Sequence, residues 1–344
     1  MPPSPSAAEI AAAAAHLRAG RLVAFPTETV YGLGANALDP DAIARVYAVK
    51  RRPPTSPLIV HVASVEMAKS LVAAWPAAAD RLTKKFWPGP LTLVLPVKFS
   101  SAQPAGKNSP AIPEIVTAGL PTVALRMPAH PVALALLKAA DIPIAAPSAN
   151  RFTELSPTTA AHVRQSLSIG PDKDVACILD GGPSEVGIES TVVSLAGPHP
   201  ILLRPGAISR AQLESIIGPV ATAADPQSGP HSSPGMHARH YSPRTTLFLV
   251  SNGKLPEQGK GIYLQHTNPP ARRDIKATQT TQATQTIKTI PMPTTAAAYA
   301  AALYETLHQA DESNVDWIAI DTPPATPDWE AIQDRLTRAA KSAI

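Results

Sequence analysis

A chain of 344 residues is longer than one compact core usually runs, so two domains are the first expectation. Hydrophobic residues make up 44% and charged residues 16%; no apolar run reaches membrane-spanning length, and a lone cysteine, Cys177, excludes an internal disulfide framework or a multi-cysteine zinc site. Residues 1–215 hold 19 Lys and Arg against 15 Asp and Glu, whereas residues 216–344 hold 11 against 11, so the net charge of +4 lies in the N-terminal portion, where it fits an anionic ligand but is too small to coat nucleic acid.

Residues 7–19 are Ala-rich with helical apolar spacing and stop at Gly20. Residues 21–25 (RLVAF) read as a short buried strand ended by Pro26. A helix is expected over 40–49, with Asp39 or Asp41 near its start, where carboxylates are favoured. Strands are expected at 58–63, 91–97, 122–126, 144–146, 176–180 and 190–195. Helices at 65–74, 79–86, 131–140 and 158–166 fall between them. Such alternation predicts an α/β sheet. From 217 to 242 the periodicity gives way to Pro, Gly, Ser and Ala, the composition of a linker. A second α/β pattern follows, with strands at 246–250, 261–264 and 315–320 and helices at 294–309 and 329–340. Residues 276–290 (KATQTTQATQTIKTI) are Thr/Gln-biased and predict a mobile loop or an irregular strand. The expected layout is thus a first domain over 1–216, a linker or lid over 217–244 and a second domain over 245–344.

Several segments carry polar groups in suggestive places. FPTETVYGLG (25–34) leaves a strand at a proline, presents Thr27 and Thr29, and ends in two glycines that permit close approach of a ligand to the backbone; an ordinary strand-to-turn segment reads the same way. Lys50, Arg51 and Arg52 precede Pro53 and Pro54, and an extended backbone there would point Lys50 and Arg52 the same way, as a clamp on phosphates or as a solvated basic run. His61 lies in an apolar strand, where a histidine is usually a satisfied core residue. Arg126 closes the buried strand of TVALRMP, where an unpaired cation is costly; on the residues alone, an internal Asp or Glu is the favoured partner over a substrate acid. APSAN (146–150) with Ser156 offers small polar groups that either bind a nucleotide or cap a helix. GIESTVV, LRPG and HYSP follow, the last inside the linker.

Taken in order, FPTETVYGLG, KRRP with SPLIVH, PTVALRMP, APSAN with SPT, GIESTVV, LRPG and HYSP resemble the YrdC-type threonylcarbamoyl-AMP synthases in their long form. The C-terminal YAAALYETLHQAD and DWEAIQDRLTRAA extend the resemblance over nearly the whole chain. It implies a YrdC-like twisted mixed sheet with flanking helices and a central cleft, plus a smaller Rossmann-like α/β domain. It also implies an ATP site of Lys50, Arg52, Ser56, Thr122, Ser148, Asn150, Ser156, Arg204 and Tyr241, with Lys50 and Arg52 as the catalytic cations. A threonine site of Thr29, His61, Arg126 and Ser190 would adjoin it, and Mg²⁺ would arrive on the ATP phosphates with no side-chain ligand. Two departures stand out: Ser56 where asparagine is usual, and residues 151–155 (RFTEL) where a glycine-containing turn is usual. The segment 98–113 is also somewhat extended.

The activity implied is a cytoplasmic nucleotidyltransferase that makes L-threonylcarbamoyladenylate and pyrophosphate from L-threonine, bicarbonate or CO₂, and ATP. A downstream transferase would place the group beside the tRNA anticodon. The leading rival is a non-catalytic RNA-binding protein using the same basic cleft; its modest charge and 4% aromatic content count against it. A carbamoyl-transferring hydrogenase-maturation protein would need many cysteines. A regulatory C-terminal module on an inactive synthase is a further alternative. The first 15 residues lack the basic and apolar stretches of a secretory signal.

Overall fold

The computed structural model describes residues 4–98, 112–222, 241–251, 253–266 and 285–343. They divide into two compact units, one of Met1–Phe152 with Ser156–His237 and one of Thr153–Leu155 with Ala238–Ile344.

The first unit opens with α1 (Ala7–Arg18), whose start is fixed by a capping box between Ser6 and Glu9. Strands β1 (Leu22–Phe25) and β2 (Gly32–Asn36) lead to α2 (Pro40–Lys50), where the Asp39 carboxylate accepts from the Asp41 and Ala42 N–H groups. The chain continues through β3 (Ile59–His61), α3 (Val65–Ser70), α4 (Ala77–Phe86), β4 (Leu91–Pro96) and α5 (Glu114–Thr117). Next come β5 (Thr122–Arg126), α6 (Pro131–Ala140), β6 (Ile144–Ala145), α7 (Ala160–Ser166) and β7 (Val175–Ile178). The unit closes with β8 (Thr191–Ser194), β9 (Ile201–Arg204), α8 (Arg210–Ile217) and β10 (Ala221–Thr222). Its sheet runs β10-β9-β8-β4-β5-β3-β6-β2-β1-β7. Parallel pairs such as β3–β5 and β4–β8 occur beside antiparallel ones such as β4–β5 and β1–β2, so the sheet is mixed.

Strand β2 includes the two glycines of FPTETVYGLG and was not singled out as a strand. Its two glycines serve packing: a Cβ on Gly34 would meet the Phe25 ring at 2.8 Å and Ile144 at 2.9 Å. A glycine-rich strand is poor in β-propensity and easily read as a loop.

In the second unit β11 (Thr246–Val250), β12 (Gly259–His266), β13 (Gln285–Met292), β14 (Trp317–Asp321) and β15 (Ser342–Ala343) form a wholly parallel sheet in the order β13-β12-β14-β11-β15. Helices α9 (Ala296–Asp311) and α10 (Glu330–Ala339) make two of the crossovers, a Rossmann-like pattern. Residues 285–290 of the Thr/Gln-biased segment, continued by Pro291 and Met292, pair with β12 over eight positions; residues 276–284 lie outside the described residues, as do 223–240 of the expected linker and 99–111. No helix among the described residues is long and apolar enough to cross a membrane.

Candidate active site

Strand alternation divides the centre of the first sheet between two faces. Val60, Leu125 and Leu93 join the main core, whereas Ile59, Ala124, Val94 and Val192 form a separate small apolar cluster. Ile59 pairs with Ala124 and His61 with Arg126 across β3 and β5, and Val94 pairs with Ala124 across β4 and β5. His61, Arg126 and Thr122 therefore share the face of that small cluster, as does Thr92, two residues from Val94. Thr122 and Arg126 stand at opposite ends of β5, about 13 Å apart.

Arg126 is 3% exposed and its guanidinium is held on three sides. Nη2 donates to Glu28 Oε1 at 2.7 Å, Nη1 to Thr29 Oγ1 at 2.8 Å and Nε to the Gly89 carbonyl at 3.3 Å. The other Glu28 oxygen accepts from the Ala129 N–H at 3.0 Å. The internal carboxylate favoured on the residues alone is therefore present, and it is Glu28. Burial by itself would raise the Glu28 pKa, but the Arg126 charge and its hydrogen bonds outweigh burial and hold it below the ordinary value. Thr29 is fixed in turn by a 2.8 Å hydroxyl contact with Thr27.

His61 packs edge-on to Phe25, with 6.0 Å between ring centroids, and its buried Nδ1 has no hydrogen-bond partner. Burial, assisted by the Arg126 charge, pushes its pKa down to about 3, so the ring is neutral at working pH. Because the unfolded ring binds a proton near pH 6.5 and the folded ring does not, stability attributable to His61 is complete above pH 6.5 and falls as pH drops towards 3. The expected slope is at most about 1.4 kcal/mol per pH unit. Urea unfolding of wild type and His61→Phe between pH 7 and 4.5 checks this: the slope should be shallower in the variant.

Ser190 sits in a second buried set. Arg204 donates through Nε to the Ser190 carbonyl and through Nη2 to its hydroxyl, both at 3.1 Å, and that hydroxyl lies 2.8 Å from Thr92 Oγ1. One residue earlier, Glu189 accepts from the Ser156 hydroxyl at 2.5 Å. The LRPG glycine makes this approach possible: a Cβ on Gly206 would lie 2.3 Å from the Thr191 nitrogen and 2.7 Å from the Ser190 carbonyl carbon. Gly206→Ala is expected to lower the unfolding free energy by about 1–3 kcal/mol in urea titration, the scale of forced overpacking.

The third set gathers at the end of α2. Lys50 Nζ donates to the backbone carbonyls of Ser148, at 2.5 Å, and of Asn150, with Asn150 Oδ1 at 3.4 Å. Arg52 donates to the Ser56 hydroxyl and to the Pro57 carbonyl at 3.1 Å, and lies 5.8 Å from the centre of the Phe152 ring. Ser56, expected as a nucleotide contact, is itself fully buried and anchors Arg52. The expected extended backbone is corrected: Lys50 is the last residue of α2, and Arg51 adopts a left-handed conformation with φ 52°. That turn, closed by Arg51 N–H to Ala48 O and Arg52 N–H to Tyr47 O, leaves Arg51 exposed and buries the cations on either side. Helix α7 is capped by Thr159, so the APSAN groups are not its cap.

Tyr241 belongs to the second unit. It is buried there, 6.0 Å from the Tyr304 ring centre and 5.3 Å from the Arg335 guanidinium. His240 lies outside the described residues.

Within the first unit the structure thus links Thr29 with Arg126 and Ser190 with Arg204 by direct hydrogen bonds. It groups Lys50 with Ser148 and Asn150, and Arg52 with Ser56. Glu28, Thr92 and Glu189 were not singled out from sequence. The one available signal was the demand of buried cations for partners. Among the described residues of this unit, Lys50, Arg52, Arg126 and Arg204 are buried cations against two buried carboxylates, Glu28 and Glu189. Burying charge is costly, and each of these side chains is held by the hydrogen bonds described above.

A family model described as telomere recombination, which groups Sua5, YciO and YrdC, matches residues 15–206, and one described as the threonylcarbamoyl-AMP synthase C-terminal domain matches residues 208–341. The Bacillus subtilis threonylcarbamoyl-AMP synthase is 41% identical over 98% of this chain and 94% of its own length. The Pyrococcus abyssi enzyme of the same name is 44% identical over 70% of this chain and 68% of its own. The crystal structure of P. abyssi Sua5 complexed with L-threonine superposes with a TM-score of 0.81 at 33% identity, covering 98% of this chain and 97% of that one. The chain belongs to the threonylcarbamoyl-AMP synthase family.

Proposed function

We propose that this chain condenses L-threonine, CO₂ from bicarbonate, and ATP into L-threonylcarbamoyladenylate and pyrophosphate, on the sheet face that carries His61 and Arg126. The observation that supports this most is the burial of four cations in the first unit, Lys50, Arg52, Arg126 and Arg204, each aimed by named hydrogen bonds.

The neutral amine of threonine attacks CO₂, forming a carbamate and releasing one proton. A carbamate oxygen then attacks the α-phosphorus of ATP and the bond to pyrophosphate breaks. Neither step requires a covalent bond to the protein, so positioning and charge stabilisation dominate. Arg126 and Thr29 hold the threonine carboxylate. His61, neutral and with an unpartnered nitrogen, offers a hydrogen-bond site without adding charge. Lys50 and Arg52 offset the charge that develops on the phosphates, with Ser148, Asn150, Ser156 and Arg204 around the nucleotide. Among the described residues no cluster of three or more His, Cys, Asp or Glu is placed to hold a metal. Mg²⁺ would arrive on the ATP phosphates with water, where it would supply further charge compensation. The product is handed to a transferase that acts on tRNA.

The test is pyrophosphate release from ATP with each amino acid in turn, with and without bicarbonate. Release should require threonine and bicarbonate together. Salt-dependent RNA binding with no threonine-dependent turnover would favour the non-catalytic reading.

A further inference from the structure

We propose that Glu28 is a positioning residue of the amino-acid site, setting the orientation in which Arg126 meets the substrate carboxylate. The inference rests on the assignment of Arg126 to that carboxylate.

Glu28 is 6% exposed and each of its carboxylate oxygens serves a different donor, Arg126 Nη2 at 2.7 Å and the Ala129 N–H at 3.0 Å. Its backbone carbonyl accepts from Val186 N–H at 2.7 Å, which ties the segment to a distant loop. Thr27, one residue before, and Thr29, one after, are locked together by their hydroxyls, and Thr29 takes Arg126 Nη1. Guanidinium has five N–H donors. The bonds to Glu28, Thr29 and Gly89 use one on each nitrogen, so one N–H on each terminal nitrogen is left for a further acceptor among the described residues. A carboxylate needs such a pair, and it needs the plane fixed.

Charge leads to the same place. Glu28 already neutralises Arg126, so the pair presents directed donors more than net attraction. A threonine carboxylate arriving there is recognised by geometry. That geometry depends on a carboxylate at position 28 in particular, because glutamine cannot accept on both of its terminal atoms. Its amino group would face either Arg126 Nη2 or the Ala129 N–H donor to donor, and one anchor would be lost.

The experiment is a double-mutant cycle on pyrophosphate release with Glu28→Gln, Arg126→Met and the double variant, varying threonine and ATP separately. Glu28→Gln is expected to raise the threonine KM at least about tenfold, the scale of one charge-assisted hydrogen bond, and to leave the ATP KM within about twofold. In the Arg126→Met background it should add little, since its effect passes through Arg126. A threonine KM within about twofold of wild type, an equal rise in both KM values, or multiplying effects in the cycle would each overturn the proposal. Should Glu28→Gln fail to fold, Glu28→Asp keeps the charge but draws it back by one methylene; the same selective rise is expected, and an unchanged threonine KM overturns the role. A wild-type chain without threonine-dependent turnover would remove the Arg126 assignment itself, a distinct outcome that ends both.

Discussion

Lys50→Ala is expected to cut threonine-dependent pyrophosphate release at least about a hundredfold, and Arg52→Ala by a similar factor, the scale of losing a preorganised charge contact. Both side chains are buried, at 1% and 6% exposure, so neither is a solvated surface charge. Lys50 is aimed by the Ser148 and Asn150 carbonyls, and Arg52 by Ser56 and Pro57. These hydrogen bonds fix the direction of each cation inside the buried site. The loss should fall on kcat as well as on the ATP KM, because charge shifts between phosphates during transfer. Comparing AMP and pyrophosphate formation in the two variants with wild type decides it. Near-normal turnover in both would refute the clamp.

Arg126→Met is expected to lower stability by about 3–5 kcal/mol at pH 8, because it strands the Glu28 carboxylate in a buried site. The pH dependence carries the signature. In wild type the folded pKa of Glu28 lies below its ordinary 4.5, so the stability from this group is present above pH 4.5 and is lost as pH falls through the folded value. Without Arg126 burial raises that pKa, and the sign reverses: the variant loses stability as pH rises above 4.5. The gap between variant and wild type should therefore be widest near pH 8 and narrow towards pH 5, as read by urea unfolding at both. A gap independent of pH would show that Glu28 is not the stranded charge. Threonine kcat/KM should fall about a hundredfold in the same variant, from the loss of a paired, charge-assisted contact.

Much of the fold was legible because its signals are local. Helix α6 spans Pro131–Ala140, the stretch expected from its apolar spacing, and β5 matches 122–126. Strands β2 and β9 were not singled out. GLGAN lacks branched or aromatic residues, and ILLR is too short to show alternation. Strand β13 lies in a Thr/Gln-biased stretch that reads equally as a mobile loop or an irregular strand, and its parallel pairing with β12 leaves no tight-turn signal. The candidate site divides similarly. Arg126 and His61 stand out as polar groups in apolar strands, and Lys50 and Arg52 as members of a run of three cations. Glu28 does not, since its pairing with Arg126 spans 98 residues. The reversal at Arg51 was missed because the prolines after it argue for extension, while a left-handed residue at a helix end leaves little mark unless it is glycine.

The most direct measurement is a crystal structure of the full chain with an unhydrolysable ATP analogue and L-threonine both bound. The account predicts phosphate oxygens within hydrogen-bonding distance of Lys50 and Arg52, and the threonine carboxylate on Arg126. Either ligand seated away from the His61 and Arg126 face would contradict it.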